Sequence, residues 1–203
     1  MTTVAVRPVL ADRIVRRSST ATNIALVGAG ALVVGLLAQV SIPLWPVPIT
    51  GQTLGVMLVG ATLGARRGAL SMLTYMVLGL VGVPWFSNFT GGLAAVMKPS
   101  FGYIIGFIPA AFVIGYLSEK QWDRRPMLAI AAFGIASLIP FLTGVPYMWG
   151  VLALAGNNIG LGGAIAAGFT PFIIGGIVKW LLGAFTLPLA WKGVNYLDST
   201  ATK

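Results

Sequence analysis

Of 203 residues, 57% are hydrophobic and 8% charged, where a soluble domain carries about 25% charged residues, and the mean hydropathy is +0.92. This is the composition of an all-α integral membrane protein. The formal charge of +9 raises nucleic acid as a partner, but the chain has no cysteine or histidine, which excludes disulfides, thiolate nucleophiles, imidazole bases and the usual zinc or iron ligands.

In chain order, residues 1–20 are polar and basic (Arg7, Arg13, Arg16, Arg17) and predict a cytoplasmic segment with a short surface helix. The run "NIALVGAGALVVGLLAQVSI" is too long for a signal-peptide core and predicts a retained first span over about 22–42. Three prolines in "IPLWPVPIT" (42–50) stop it. Span 2 is expected over 51–65, ending at Arg66–Arg67, and span 3 over 68–83. The loop "VPWFSNFTGGLAAVMK" (83–98) leads to span 4 over 99–118, with Pro99 suited to the first helical position. After "SEKQWDRRP" (118–126), span 5 is expected over 127–144. In 145–169, Asn157, Asn158 and the glycines predict a loop with short helices on either side. Span 6 covers 171–191, with Thr170 as N-cap and Pro171 at the first position. The transmembrane domain is thus 21–192, followed by a cytoplasmic tail, 193–203.

With six transmembrane helices, the N-terminus, the loops at 66–67 and 118–126, and the C-terminus share one side. That side holds Arg7, Arg13, Arg16, Arg17, Arg66, Arg67, Lys120, Arg124, Arg125, Lys192 and Lys203, together with the acids Asp12, Glu119, Asp123 and Asp198. By the positive-inside rule it is cytoplasmic. The charge therefore records topology, and no nucleic-acid partner is expected. Of the 13 basic residues two remain: Lys98 at the outer mouth of span 4, and Lys179 two turns into span 6.

A lysine at a helix centre costs about 2.5–3.5 kcal/mol on insertion scales. Three outcomes are open for Lys179: it is neutral, it snorkels outward, or it faces a cavity that receives an anion. Helix N-termini at Pro99 and Thr170–Pro171 favour an anion. Gly175, Gly176 and Gly183 leave space on the face of Lys179, although glycine also serves close helix packing. Trp45, Trp85, Phe86, Asn88, Phe89, Phe101, Tyr103, Asn157 and Asn158 lie in outer segments, either as a pocket or as an aromatic belt. Thr50 and Gln52 either cap span 2 or touch a ligand. Span 1 carries Ala21, Ala25, Gly28, Ala29, Gly35 and Ala38, suited to internal packing or to docking of another membrane subunit.

The spans contain no Asp, Glu or His, which argues against proton relays and carboxylate sodium sites. No P-loop string is present, and no catalytic constellation can be assembled. The chain reads as a binder or conduit for an organic anion, without an energy source and not an enzyme. A self-standing facilitator or channel for small organic anions is the alternative. A lipid-modifying enzyme is the other.

The strings "IPLWPVPITGQTLGVMLVGATLGARRGALSMLTYMVLGLVGVPWF" (42–86), "KPSFGYIIGF" (98–107) and "PFIIGGIVK" (171–179) closely resemble the BioY family. Its members are biotin-specific substrate-binding (S) components of energy-coupling factor (ECF) transporters. The resemblance covers nearly the whole chain after residue 22. It implies a six-helix, S-component-like bundle in the bacterial plasma membrane, multi-pass, with cytoplasmic N- and C-termini. It also implies biotin as transported ligand with no cofactor. The expected partners are an ECF-type transmembrane coupling subunit and two ABC-type ATPases, docked through small residues of span 1 such as Ala25 and Ala29. Lys98 and Lys179 match the basic residues that look to the biotin carboxylate. Asn88 matches an asparagine that holds the ureido ring. Tyr103 matches the family tyrosine and, with Trp85, Phe86 and Phe101, is expected to pack the ring and valeryl chain. Many relatives carry an acid where this chain has Gly176, and "KPSFGY" differs from the commoner "GPTGGY". The ureido donors then need another acceptor, for which Asn157, Asn158, Gln52 and Ser87 are candidates.

Overall fold

The structure is a computed structural model and describes residues 9–15 and 19–201, with side chains to 196. Arg7, Arg16, Arg17, Lys203 and the side chain of Asp198 lie outside what is described. Among the described residues the chain is helical apart from one two-stranded hairpin.

Helix α1 (Leu10–Ile14) is not a free surface helix: Val9, Leu10 and Ala11 are buried, because three consecutive apolar side chains fill a gap beside α3 (Gln52–Leu63) and α8 (Ile173–Ala201). Helix α2 (Thr20–Ala38) starts where Ser19 Oγ accepts from Thr22 N at 3.1 Å. It stops short of the expected 42, since Pro43 disfavours helix in the residue before it. Strand β1 (Ser41–Ile42) then pairs antiparallel with β2 (Ile49–Thr50), and the prolines sit in the loop between them.

Helices α3 and α4 (Ala65–Val81) are joined by Gly64 alone, at φ +87, a conformation glycine adopts without penalty. The tight turn draws Arg66 and Arg67 into the first turn of α4, three residues earlier than the charges suggest. Glu119 Oε1 accepts from Ala65 N at 2.9 Å and caps that turn from the end of α5 (Phe101–Glu119). Pro99 precedes α5 by two residues and is not its first position. Helix α6 (Pro126–Leu154) takes Pro126 at its start and runs ten residues beyond the expected end at 144, through Pro140 and Pro146. Gly144 is not a terminator: a Cβ there would lie 2.4 Å from the Tyr103 ring, so glycine permits close approach of α5. One short helix, α7 (Gly160–Gly168), follows the 155–159 loop instead of one on either side. A 3-10 turn at Thr170–Phe172 holds Pro171 and leads into α8; Thr170 Oγ1 donates back to Ile165 O and caps nothing downstream.

By length and composition four segments can cross a membrane: Thr20–Ala38, Phe101–Glu119, Pro126–Leu154 and Gly160–Tyr196. The protein is thus a multi-pass membrane protein. The count of six spans is not reproduced at this level: α3, with 12 residues, is about 18 Å long, and α4 has 17 residues. Helix α5 is the hub, packed on α3, α4 and α6, and its Gly102, Gly106 and Gly115 let those backbones approach.

Apart from Lys98 and Lys179, the described charged residues collect at one end. Arg67 pairs with Asp12. Asp123, 1% exposed, accepts from Trp191 Nε1, while the Arg124 guanidinium lies 3.9 Å from the Trp191 ring centroid. Burial pushes the Asp123 carboxyl above its ordinary range, against the opposing pull of Trp191 and Arg124. Folded protein therefore holds this proton more tightly than unfolded, and stability falls as pH rises from about 4 through the raised value. Asp123→Asn keeps an acceptor for Trp191 and is expected to flatten that part of a melting-temperature series from pH 4 to 8. An unchanged pH dependence would contradict it.

Candidate functional site

At the opposite end of α5 lies a cavity of about 270 Å³, close to the size range of small-molecule pockets. Its floor comes from α5 and α8. Phe101, Ile104 and Phe107 repeat at three-residue spacing and Tyr103 lies one turn from Phe107, so all meet one face. Phe172, Gly176 and Lys179 do the same at four and three. Helix α3 adds Gln52, Thr53 and Met57, α6 adds Ser137 and Phe141, and the hairpin adds Pro46, Val47, Pro48 and Thr50. The 86–100 segment closes the wall with Phe86, Ser87, Asn88, Thr90, Lys98 and Ser100.

The aromatic walls are fixed by their own contacts. Tyr103 stacks on Phe172 with ring centroids 6.1 Å apart, and Phe141 meets Tyr103 edge-on at 5.8 Å. Phe86 meets Phe101 at 6.5 Å. The Tyr103 hydroxyl donates to Gly168 O at 2.7 Å, so that tyrosine offers the cavity its ring and not its phenol.

Lys98 and Lys179 line this one cavity, and no carboxylate does. Lys179 is half-buried and donates from Nζ to Thr50 O at 2.9 Å. It is neither snorkelling nor without a partner: one donor is used, and an ammonium has three. Gly176 has open space where a Cβ would stand, so the room beside the lysine is real there. Gly183 instead accommodates Phe133, whose ring a Cβ would meet at 2.3 Å.

Gly51, not Thr50 or Gln52, stands at the N-cap of α3. Thr50 Oγ1 accepts from Gln52 N at 3.3 Å in the first turn of α3, and both residues line the cavity. Both ends of the Gln52 amide are engaged, Oε1 accepting from Thr50 Oγ1 at 2.8 Å and Nε2 donating to Tyr75 OH at 2.7 Å, with one donor and one lone pair remaining. Ser87 Oγ and Thr53 Oγ1, in contrast, are buried with no hydrogen-bond partner.

Three expected site residues are not brought in. Trp85 turns away: its Nε1 donates to Tyr75 O at 2.9 Å and its ring covers Gly35. Asn157 and Asn158 are exposed in the loop after α6, off the cavity lining, because α6 continues past 144 and carries that loop beyond the site. Thr53, Met57, Phe107, Phe141 and Phe172 are lining residues that the sequence reading passed over. The helical spacing of Phe172 and Gly176 from Lys179 was the available signal. Ala25, Gly28 and Ala29 of α2 are exposed, and nothing lies within 4 Å of a Cβ at Gly28.

A family model described as the BioY family matches residues 11–196. The chain is 39% identical over 180 residues to the biotin transporter BioY of Rhizobium etli, covering 87% of this chain and 95% of that one. It is 40% identical over 153 residues to the biotin transporter BioY of Thermotoga maritima, covering 75% and 85%. Among solved structures it resembles the S-component for biotin from an ECF-type ABC transporter, with a TM-score of 0.66 and 24% identity over 87% of this chain and 95% of that one. At that identity the likeness concerns the fold alone.

Proposed function

Because the chain belongs to the BioY family, we propose that it captures biotin, as the carboxylate, for uptake across the membrane. The observation that carries this reading is the pair Lys98 and Lys179 on one aromatic-walled cavity without a carboxylate. Lys179 offers its remaining donors to the biotin carboxylate from a low-dielectric site, and Lys98 adds charge at the exposed rim. Phe86, Phe101 and Tyr103 pack the ring and valeryl chain. Asn88 holds the ureido ring. Its N–H groups need acceptors, and Ser87 and Thr53 are the buried hydroxyls in the wall still lacking partners. They take the place of a carboxylate at position 176.

In this reading α2, α3, α4, α5, α6 and α8 form the six spans, and the charged end faces the cytoplasm with both termini. The protein is not an enzyme and needs no cofactor. Energy comes from an ECF-type coupling subunit and two ABC-type ATPases, docked at the exposed small residues around Ala25 and Ala29, where two helices can approach closely.

The test is calorimetric titration of detergent-purified, ligand-stripped protein with biotin. Saturable one-to-one binding is expected, and no binding would overturn the assignment. The facilitator reading is favoured instead if liposomes holding this chain alone equilibrate biotin while no ATPase pair copurifies with it.

A further inference from the structure

The wall segment 85–89 carries little secondary structure of its own: a 3-10 turn at Ser87–Phe89 inside a bridge in which Phe86 N donates to Thr90 O at 2.9 Å and Thr90 N to Phe86 O at 3.2 Å. Asn88 and Phe89 have φ 58 and 53, in the left-handed region that side chains rarely adopt. One side chain from another element, Gln39 at the end of α2, then ties this turn to the rest of the bundle. Its two Nε2 N–H groups are shared among three carbonyls, Trp85 O at 3.1 Å, Phe86 O at 3.2 Å and Gly35 O of its own helix at 3.0 Å. Its Oε1 accepts from Phe89 N at 2.9 Å. Both ends of the amide therefore grip the backbone on either side of Ser87 and Asn88. Two residues on, Ser41 Oγ donates to Asn88 Oδ1 at 3.2 Å, which orients the Asn88 amide itself.

The grip is continuous with the lysine. Trp85 O also accepts from Tyr75 OH at 3.2 Å. Tyr75 OH accepts from Gln52 Nε2, Gln52 Oε1 accepts from Thr50 Oγ1, and Thr50 O accepts from Lys179 Nζ. Hydrogen bonds, joined through the covalent frames of Thr50 and Gln52, thus connect Lys179 to the backbone that presents Ser87 and Asn88. Such a connection holds its two ends in fixed register.

We propose that Gln39 is a positioning residue for ring recognition: it touches no ligand, and it sets where Ser87 and Asn88 meet the polar ring of the cargo. This deepens the biotin reading and rests on it. The isosteric Gln39→Met keeps the volume and removes all four hydrogen bonds. Affinities are measured for biotin, for biotin methylated on a ring nitrogen, and for the uncharged amide of biotin.

In the native chain biotin binds better than both analogues. In Gln39→Met, biotin binding falls about tenfold, and the preference over the ring-methylated analogue collapses. The preference over the amide, which reads the lysines, stays. A general loosening of the fold would lower both preferences together, and that result overturns the proposal, as does unchanged biotin affinity. Should Gln39→Met fail to fold, Ser41→Ala carries the same comparison, with a smaller loss in the same preference expected and no change decisive against it. If the native chain binds no biotin, the functional reading itself falls, and this inference with it.

Discussion

Lys179→Ala is expected to weaken biotin binding by about 100-fold, or about 2.7 kcal/mol, while the bundle still folds. The magnitude follows from the site. The Lys179 ammonium is half-buried between aromatic walls, and among the described residues its bonded partner is the neutral carbonyl Thr50 O. An incoming carboxylate there meets a partly desolvated cation, and truncating one member of such a pair typically costs about 2–5 kcal/mol, much of it the penalty of stranding the other charge. Lys98 is exposed, so solvent screens it, and Lys98→Ala is expected to lose no more than about tenfold. The ligand supplies the control. The uncharged amide of biotin should bind the native chain about as weakly as biotin binds Lys179→Ala, and the two losses should not add. The bundle tolerates the change because the substitution removes one hydrogen bond and a charge from an apolar helix. Titration calorimetry on both proteins with both ligands decides. Equal discrimination between biotin and its amide with and without Lys179 would end the assignment of an anion site.

Gly60→Leu is expected to abolish folded protein, or to lower its melting temperature by about 10 °C or more. Gly60 sits where α3, α4 and α5 converge. A Cβ there would lie 2.5 Å from Ile114 Cγ2, 2.6 Å from Ala111 O and 2.9 Å from Ala111 Cα. From the other side, a Cβ at Gly68 would lie 2.8 Å from Gly60 Cα. Two of the three close atoms at Gly60 are backbone of the hub helix, which cannot swing aside as a side-chain tip can. Three helices would have to separate, and the cavity at the far end of α5 would open with them. Gly28→Ala is the matched control: nothing lies within 4 Å of its Cβ, and alanine has the higher helix propensity, so no loss of melting temperature is expected. Fluorescence-detected size exclusion and thermal melts of the two variants measure the contrast. A monodisperse, native-like Gly60→Leu would show that the three-helix contact is looser than described.

Composition and charge placement made the membrane class, the charged end and the two outlying lysines legible before any coordinates, because those features are written in single residues. Helix ends were less legible. Gly144 and Pro146 look alike in sequence whether they end a helix or let it pass a neighbour. Only the Tyr103 ring, more than forty residues away in the chain, decides which. The continuation of α6 also carries Asn157 and Asn158 off the cavity lining. Trp85 lies off it for a related reason: an outer tryptophan can face ligand, lipid or backbone, and its hydrogen bond to Tyr75 O is a tertiary fact. Phe141 could not be found from its own helix, whose pattern is apolar on all sides. Gln39 was hidden for the opposite reason, since a lone amide at a helix end carries no motif.

The 12 residues of α3 would cover little more than half of a hydrocarbon layer about 30 Å deep, and the proline hairpin leads directly into them. Lys179 reaches toward the level where α3 begins, through Thr50. Under the proposed function, cargo would meet Lys179 beside the start of this short helix, and an ionised vitamin would not first have to shed its charge to reach its site.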